Sequence, residues 1–256
     1  MQRYFIQLAY DGANYHGWQI QPGSISVQEV LEKSISTISR EEIHVTGAGR
    51  TDTGVHASFF VAHFDAESEN LDDQHFTFRL NRFLPPDISV QNIYKVYDKA
   101  HARFDATYRT YQYFITKQKD PFSRAFAYHH YRLLDAEKMN EAAQLLFNYS
   151  DFTSFSRTGA DAKTGICKMM EAYWTEEPDR YILTIKADRF LRNMVRAVVG
   201  TMLDIGMGKM EPKEIGRIIE AKDRRVAGSS AAARGLFLVD IGYPEEISQG
   251  LIRNPG

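Results

Sequence analysis

The sequence holds a single cysteine, Cys167, so no internal disulfide can form and no cysteine cage for zinc can assemble. No apolar run exceeds four residues, 59–62 being one of them, far short of the ~20 needed to cross a bilayer. An excess of one charge is missing too: 31 Lys and Arg face 33 Asp and Glu, a net −2. That balance argues against indiscriminate coating of nucleic acid but permits a local basic surface. Gly/Ser linkers, low-complexity segments, short-period repeats, dinucleotide fingerprints and Walker loops are also lacking. The first eleven residues are too short and polar for a secretory signal, so a reduced, cytoplasmic protein is expected. What remains is 256 residues, 43% hydrophobic and 25% charged. That is ordinary for a globular chain of one large domain or two small ones.

Periodicity organises the chain into two similar halves, expected at 1–104 and 105–256. In the first, 3–10 reads as a strand closed by the Asp11-Gly12 turn. Ser26 followed by Glu29 is a capping-box signature, and Val27, Val30, Leu31, Ile35 and Ile38 then recur at helical spacing. Strands are expected at 43–46, 58–65 and 88–97, with a helix through Phe76, Leu80, Phe83 and Leu84 stopped by Pro85-Pro86. The order β-α-β-β-α-β is the ferredoxin-like pattern. In the second half, strands at 107–117, 166–175, 181–187 and 236–242 and helices at 135–147 and 190–203 repeat it, with a short extra helix near Pro212. The expected fold is α+β: two ferredoxin-like (βαββαβ) halves forming one extended, mostly antiparallel sheet, with helices on one side and a cleft on the other.

Chemistry concentrates in the loop Gly47-Ala48-Gly49-Arg50-Thr51-Asp52-Thr53-Gly54-Val55-His56 between two expected strands. Glycines let a backbone approach a ligand closely. A carboxylate in such a loop, with Arg50 two residues before it, keeps its charge when sheltered from water and is a competent nucleophile. The bland alternative for Asp52 is an Asx-turn at a strand end. Asp52-Thr53-Gly54 is also the aspartic-protease tripeptide, but it occurs once, and Arg50 beside a carboxylate dyad would oppose the shared proton. Between 180 and 200 five basic residues, Arg180, Lys186, Arg189, Arg192 and Arg196, face one acid, Asp188. Arg189, Arg192 and Arg196 are spaced to share one face of the helix expected over 190–203.

Three further segments accompany that loop: Tyr10-Asp11-Gly12-Ala13-Asn14-Tyr15-His16-Gly17-Trp18-Gln19-Ile20-Gln21, Arg109-Thr110-Tyr111-Gln112-Tyr113, and Phe190-Leu191-Arg192-Asn193-Met194-Val195-Arg196-Ala197-Val198-Val199-Gly200. Together, in this order, the four motifs closely resemble the tRNA pseudouridine synthase A family over nearly the whole chain. The resemblance implies isomerisation of uridine to pseudouridine at positions 38, 39 and 40 of the tRNA anticodon arm. It also implies a homodimer, with one tRNA touching both subunits, and no metal or organic cofactor.

On that resemblance Asp52 is the nucleophile and Tyr111 stacks on the flipped uracil. The apolar neighbours Met194, Val195, Val198 and Val199 imply that Arg196 is deeply placed and needs an anionic partner, expected to be Asp52, while Arg50, Arg189 and Arg192 are expected to meet the nucleotide or RNA phosphate. Two departures stand out. Thr53 replaces the usual Ala beside the nucleophile, and Ala232 replaces the Pro of an Ala-Pro-Ala-x-Gly-Leu turn, here Ala231–Leu236. Tyr15 and Trp18 are candidates for RNA contact or core plugs, His56 and His63 are structural or RNA-lining, and Cys167 is a buried small hydrophobe. The competing reading is a non-catalytic RNA-binding protein on the same fold, which has no use for Asp52.

Overall fold

In the computed structural model, which describes residues 1–157, 159 and 164–253, the chain clusters into two compact units. The first joins Met1–Thr107 to Leu238–Gly256, and the second is Tyr108–Phe237. The C-terminal segment, read above with the second half, therefore belongs with the first. Its contacts explain why. Tyr243 donates its hydroxyl to Ala102 O (2.6 Å), Gln7 bonds both ways with the Ile252 backbone (2.7 and 2.8 Å), and Asn92 donates to Gly250 O (2.6 Å).

The first unit runs β1 (Gln2–Tyr10), α1 (Val27–Ser39), β2 (Thr46–Gly47), β3 (His56–Ala66), α2 (Gln74–Phe83) and β4 (Ile88–Lys95). β1 lies between β3 and β4, antiparallel to both, and β2 adds an antiparallel pair on β3. Ser26 caps α1 by accepting from Glu29 N, and Asp73 caps α2 by accepting from His75 N. β2 is shorter than the strand expected at 43–46. The N–H groups of Ile43 and Val45 are taken by Ser36 Oγ (2.9 Å) and Glu32 Oε1 (2.8 Å), so helix side chains replace a strand partner there.

The second unit runs β5 (Tyr108–Thr116), β6 (Tyr128–His129), α3 (Ala136–Leu145), β7 (Met169–Glu176), β8 (Arg180–Ala187), α4 (Met194–Gly206) and α5 (Glu214–Ala221). β8 pairs antiparallel with β5 and β7, while the short β6 lies parallel to β5. Asp135 caps α3, accepting from Lys138 N. Inside this unit Tyr113, Ile115, Tyr181, Leu183 and Ile185 are buried together with Val198, Val199 and Met202 of α4. A last strand, β9 (Leu236–Gly242), crosses the boundary, and a short α6 (Glu245–Ser248) follows. The chain is thus α+β with mostly antiparallel strand pairing.

One asparagine in each unit does the same work. Asn81 of α2 donates to Val90 O and accepts from Val90 N (both 2.7 Å). Asn140 of α3 does this with Trp174 O and N (2.9 and 2.8 Å). Each side-chain amide stands in for the missing neighbour of an outer strand, β4 or β7, and ties a helix to it.

Candidate active site

The loop 47–56 is gripped by the Gly-rich loop that follows β1. Trp18 N donates to Thr51 O (3.2 Å), Gly54 N to Tyr15 O (3.3 Å), and Tyr10 and Thr51 hydroxyls share a hydrogen bond of 2.9 Å. The approach is so close that a Cβ on Gly12 would overlap the Val55 carbonyl, and one on Gly17 the Thr51 carbonyl. Gly17 also sits at φ +88°. Behind this pair, Tyr15 donates its hydroxyl to Asp87 Oδ1 (2.6 Å) and Asn14 donates to Asp87 Oδ2 (3.2 Å). His56, fully buried, has Nδ1 3.1 Å from Gly12 N and 2.9 Å from Asp11 Oδ1. Bare, that nitrogen accepts from Gly12; protonated, it donates to Asp11; either way the two loops stay tied. Asp52 itself is half-buried, its carbonyl accepting from Val55 N (3.1 Å), and Arg50 and Thr53 are exposed.

Tyr15 and Trp18 are both buried, and Trp18 stacks on Phe60 with ring centroids 4.1 Å apart. They pack as core residues of the loop clamp. His63 is also interior: its Nδ1 accepts from Ala102 N (3.1 Å), and burial, followed by the His101 and Arg3 charges, pushes its pKa down to about 4.

The other candidates lie in the second unit. Tyr111 on β5 is half-buried, edge-on to Phe190 at 5.2 Å, whereas Tyr113 two residues on is fully buried and donates its hydroxyl to Ala232 O (2.9 Å). Arg196 lies in the first turn of α4, half-buried, with Nε donating to Ala231 O (2.8 Å) while its own carbonyl accepts from Ala231 N (2.9 Å). The segment 228–231 is fastened along α4 by Gly228 N to Thr201 Oγ1 (2.9 Å) and Asn193 Nδ2 to Ser230 Oγ (2.6 Å). A Cβ on Gly200 would overlap the Ser229 carbonyl. This brace of Arg196 escaped the sequence reading; the pair of glycines at 200 and 228 was its only trace.

One expectation fails. α4 begins at Met194, not Phe190, because Asn193 adopts φ +65° and cannot belong to a right-handed helix. Arg189 and Arg192 therefore do not share a helical face with Arg196. Arg189 is held beside Asp188, whose Oδ1 accepts from Arg189 N (2.7 Å), and Arg192 is exposed. The turn lacking its proline keeps its shape: Ala232 sits at φ −59°, ψ 136°, dihedrals a proline would itself adopt. Cys167 is buried beside Met194, its thiol pushed up to about 12 chiefly by that burial. Among the described residues no three of His, Cys, Asp and Glu gather where they could hold a metal ion.

The model of a family described as tRNA pseudouridine synthase matches residues 7–105 and 142–244. The chain belongs to that family. A relative from Bacteroides fragilis named tRNA pseudouridine synthase A is 57% identical over 248 residues, 96% of this chain and 98% of that protein. Relatives of the same name from Bacillus subtilis and Aliivibrio salmonicida are 40% and 39% identical, over 92% and 95% of this chain and 97% and 94% of theirs. Asp52, Arg50, Arg189, Arg192 and Arg196 fall within the spans the family covers, and Tyr111 lies between them.

Proposed function

We propose that this isomerase, a tRNA pseudouridine synthase, acts on uridines 38, 39 and 40 of the anticodon arm with Asp52 as its nucleophile. The observation that carries the reading is the loop bearing Asp52: the residue is half-buried on a segment that the facing glycines, Gly12 and Gly17, approach backbone to backbone, within a chain of this family. The reaction breaks the C1′–N1 bond of uridine, turns the base, forms C1′–C5 and releases the proton from C5 while N1 takes one up. It is a rearrangement with no net redox change, so one anionic oxygen, a surface to hold the loose base and a cation to hold that oxygen suffice.

Asp52 supplies the oxygen. Tyr111 stacks on the uracil once it has left its helix, a customary way to hold an extruded base. Arg196, aimed by its bond to Ala231, pairs with Asp52. Arg50, Arg189 and Arg192 meet the flipped nucleotide and its phosphates. Each unit is a ferredoxin-like half, RNA lies in a cleft on the side away from the helices, and the working form is a cytoplasmic homodimer that shares one tRNA. Tritium at uridine C5 of an unmodified tRNA tests this: the protein should release it as water, and Asp52→Asn should reduce release to background. Binding without release would leave a non-catalytic RNA-binding protein; release undiminished by Asp52→Asn would remove that residue from the chemistry.

A further inference from the structure

We propose that a basic hollow on the second unit, remote along β5 from Tyr111, grips phosphates of the tRNA strand away from the reacting uridine. This rests on the tRNA reading above. The hollow has a volume of about 630 Å3; its lining includes the cations Lys119, Arg124 and Arg234, with Thr116 and His129, set among Pro121 and two alanines, with Asp120 as its one acid. Lys119, Arg124 and Arg234 are all exposed, and among the described residues none of the three is ion-paired. Asp120 is occupied locally, its two oxygens accepting from Phe122 N (2.9 Å) and Ser123 N (3.0 Å). Arg234 is oriented: its Nε donates to Ala127 O (3.3 Å) and its guanidinium lies 5.8 Å from the Tyr128 ring centre. The hollow is thus net positive, with its cations available.

The surroundings favour a polynucleotide over a small free anion. Phe122, 92% exposed, follows Asp120 on the same turn, and Tyr131, 76% exposed, follows β6. Folding gains nothing from leaving such rings in water, whereas single-stranded or frayed RNA is held by cations that track its phosphates and rings that stack its bases. Thr116 lies five residues along β5 from Tyr111, about 16 Å, and on the opposite face of the strand. A phosphate held here therefore belongs to a different nucleotide from the one Tyr111 would stack.

The test is Lys119→Glu combined with Arg124→Glu, with Lys119→Gln/Arg124→Gln as a milder companion should charge reversal impair folding. Both are compared with wild type for binding of unmodified tRNA across a salt series and for tritium release. The charge-reversed protein should bind at least about tenfold more weakly at low salt, and the slope of log affinity against log salt should shrink by about 2. KM should rise while kcat at saturating tRNA stays unchanged. Phe122→Ala should weaken binding by at least about fivefold with the slope unchanged. Wild-type affinity and slope in both cationic variants would overturn the proposal. So would binding of inorganic phosphate or AMP that these variants abolish without any loss of tRNA affinity, which would make the hollow a small-anion site. Absence of tritium release by the wild type would strike the function reading instead, and leaves the binding comparison readable.

Discussion

The two units carry their candidate catalytic groups in opposite ways. In the first, Asp52 rides on a loop held backbone to backbone, with glycines at 12 and 17 allowing two loops to touch and Asp87 bracing Tyr15 from behind. In the second, Arg196 and Tyr111 are side chains on a helix and a strand, and Arg196 is aimed by a few bonds to a segment laid along that helix. Positioning by main chain tolerates almost no change at the contacting residues, whereas positioning by side chain tolerates change everywhere except in the group itself. The contrast explains why the glycines of the first motif are as diagnostic as the carboxylate of the second.

The sharpest way to break this comparison is Gly12→Ala. Its Cβ would meet the Val55 carbonyl, which belongs to the backbone and cannot swing aside. Destabilisation of about 2–4 kcal/mol is expected, read as a lowered melting midpoint, together with a fall in kcat for tritium release. Acid should weaken the first unit next. His63 has its pKa lowered to about 4, below the value near 6.5 of an unfolded chain, so the unfolded state takes up the proton first. Its contribution is fully present above pH 6.5 and is lost as pH falls towards 4, by up to about 3 kcal/mol. Hydrogen exchange should show β1 and β3 opening at pH 5 while β5 and β8 remain protected; uniform loosening would contradict this assignment. The smallest structural effect belongs to Arg196→Met. It should cost about 1 kcal/mol or less in stability, since one hydrogen bond of a half-exposed group is lost, yet reduce tritium release nearly to background. A variant that melts early and still turns over would reverse the contrast.

Much of this architecture could be read from local chemistry. Ser26, Asp73 and Asp135 each cap the helix that follows, Pro85-Pro86 ends α2, and the turn near Asp179 joins β7 to β8 as a hairpin. The illegible parts depend on partners distant in sequence or on one unusual dihedral. β2 lost its expected residues to side chains of α1, and β6 is a two-residue parallel pair no periodicity could signal. Asn193 looks like an ordinary helical residue until its positive φ is known, and that single angle dispersed the supposed arginine stripe. In the candidate site, the identity of the groups was visible because their neighbours are odd: three glycines around one carboxylate, five cations around one acid. What held them was not visible, since Asp87 and Ala231 are unremarkable in type and lie 72 and 35 residues from the groups they serve.

The return of the last residues to the first unit sets an order of events during synthesis. Tyr108–Phe237 is continuous and can close as soon as it has emerged, but Gln7 on β1 waits for its backbone partner at Ile252, nearly the whole chain later. The unit begun first is therefore completed after the second, because Gln7 on its central strand β1 lacks the partner that Ile252 supplies until that residue has been made.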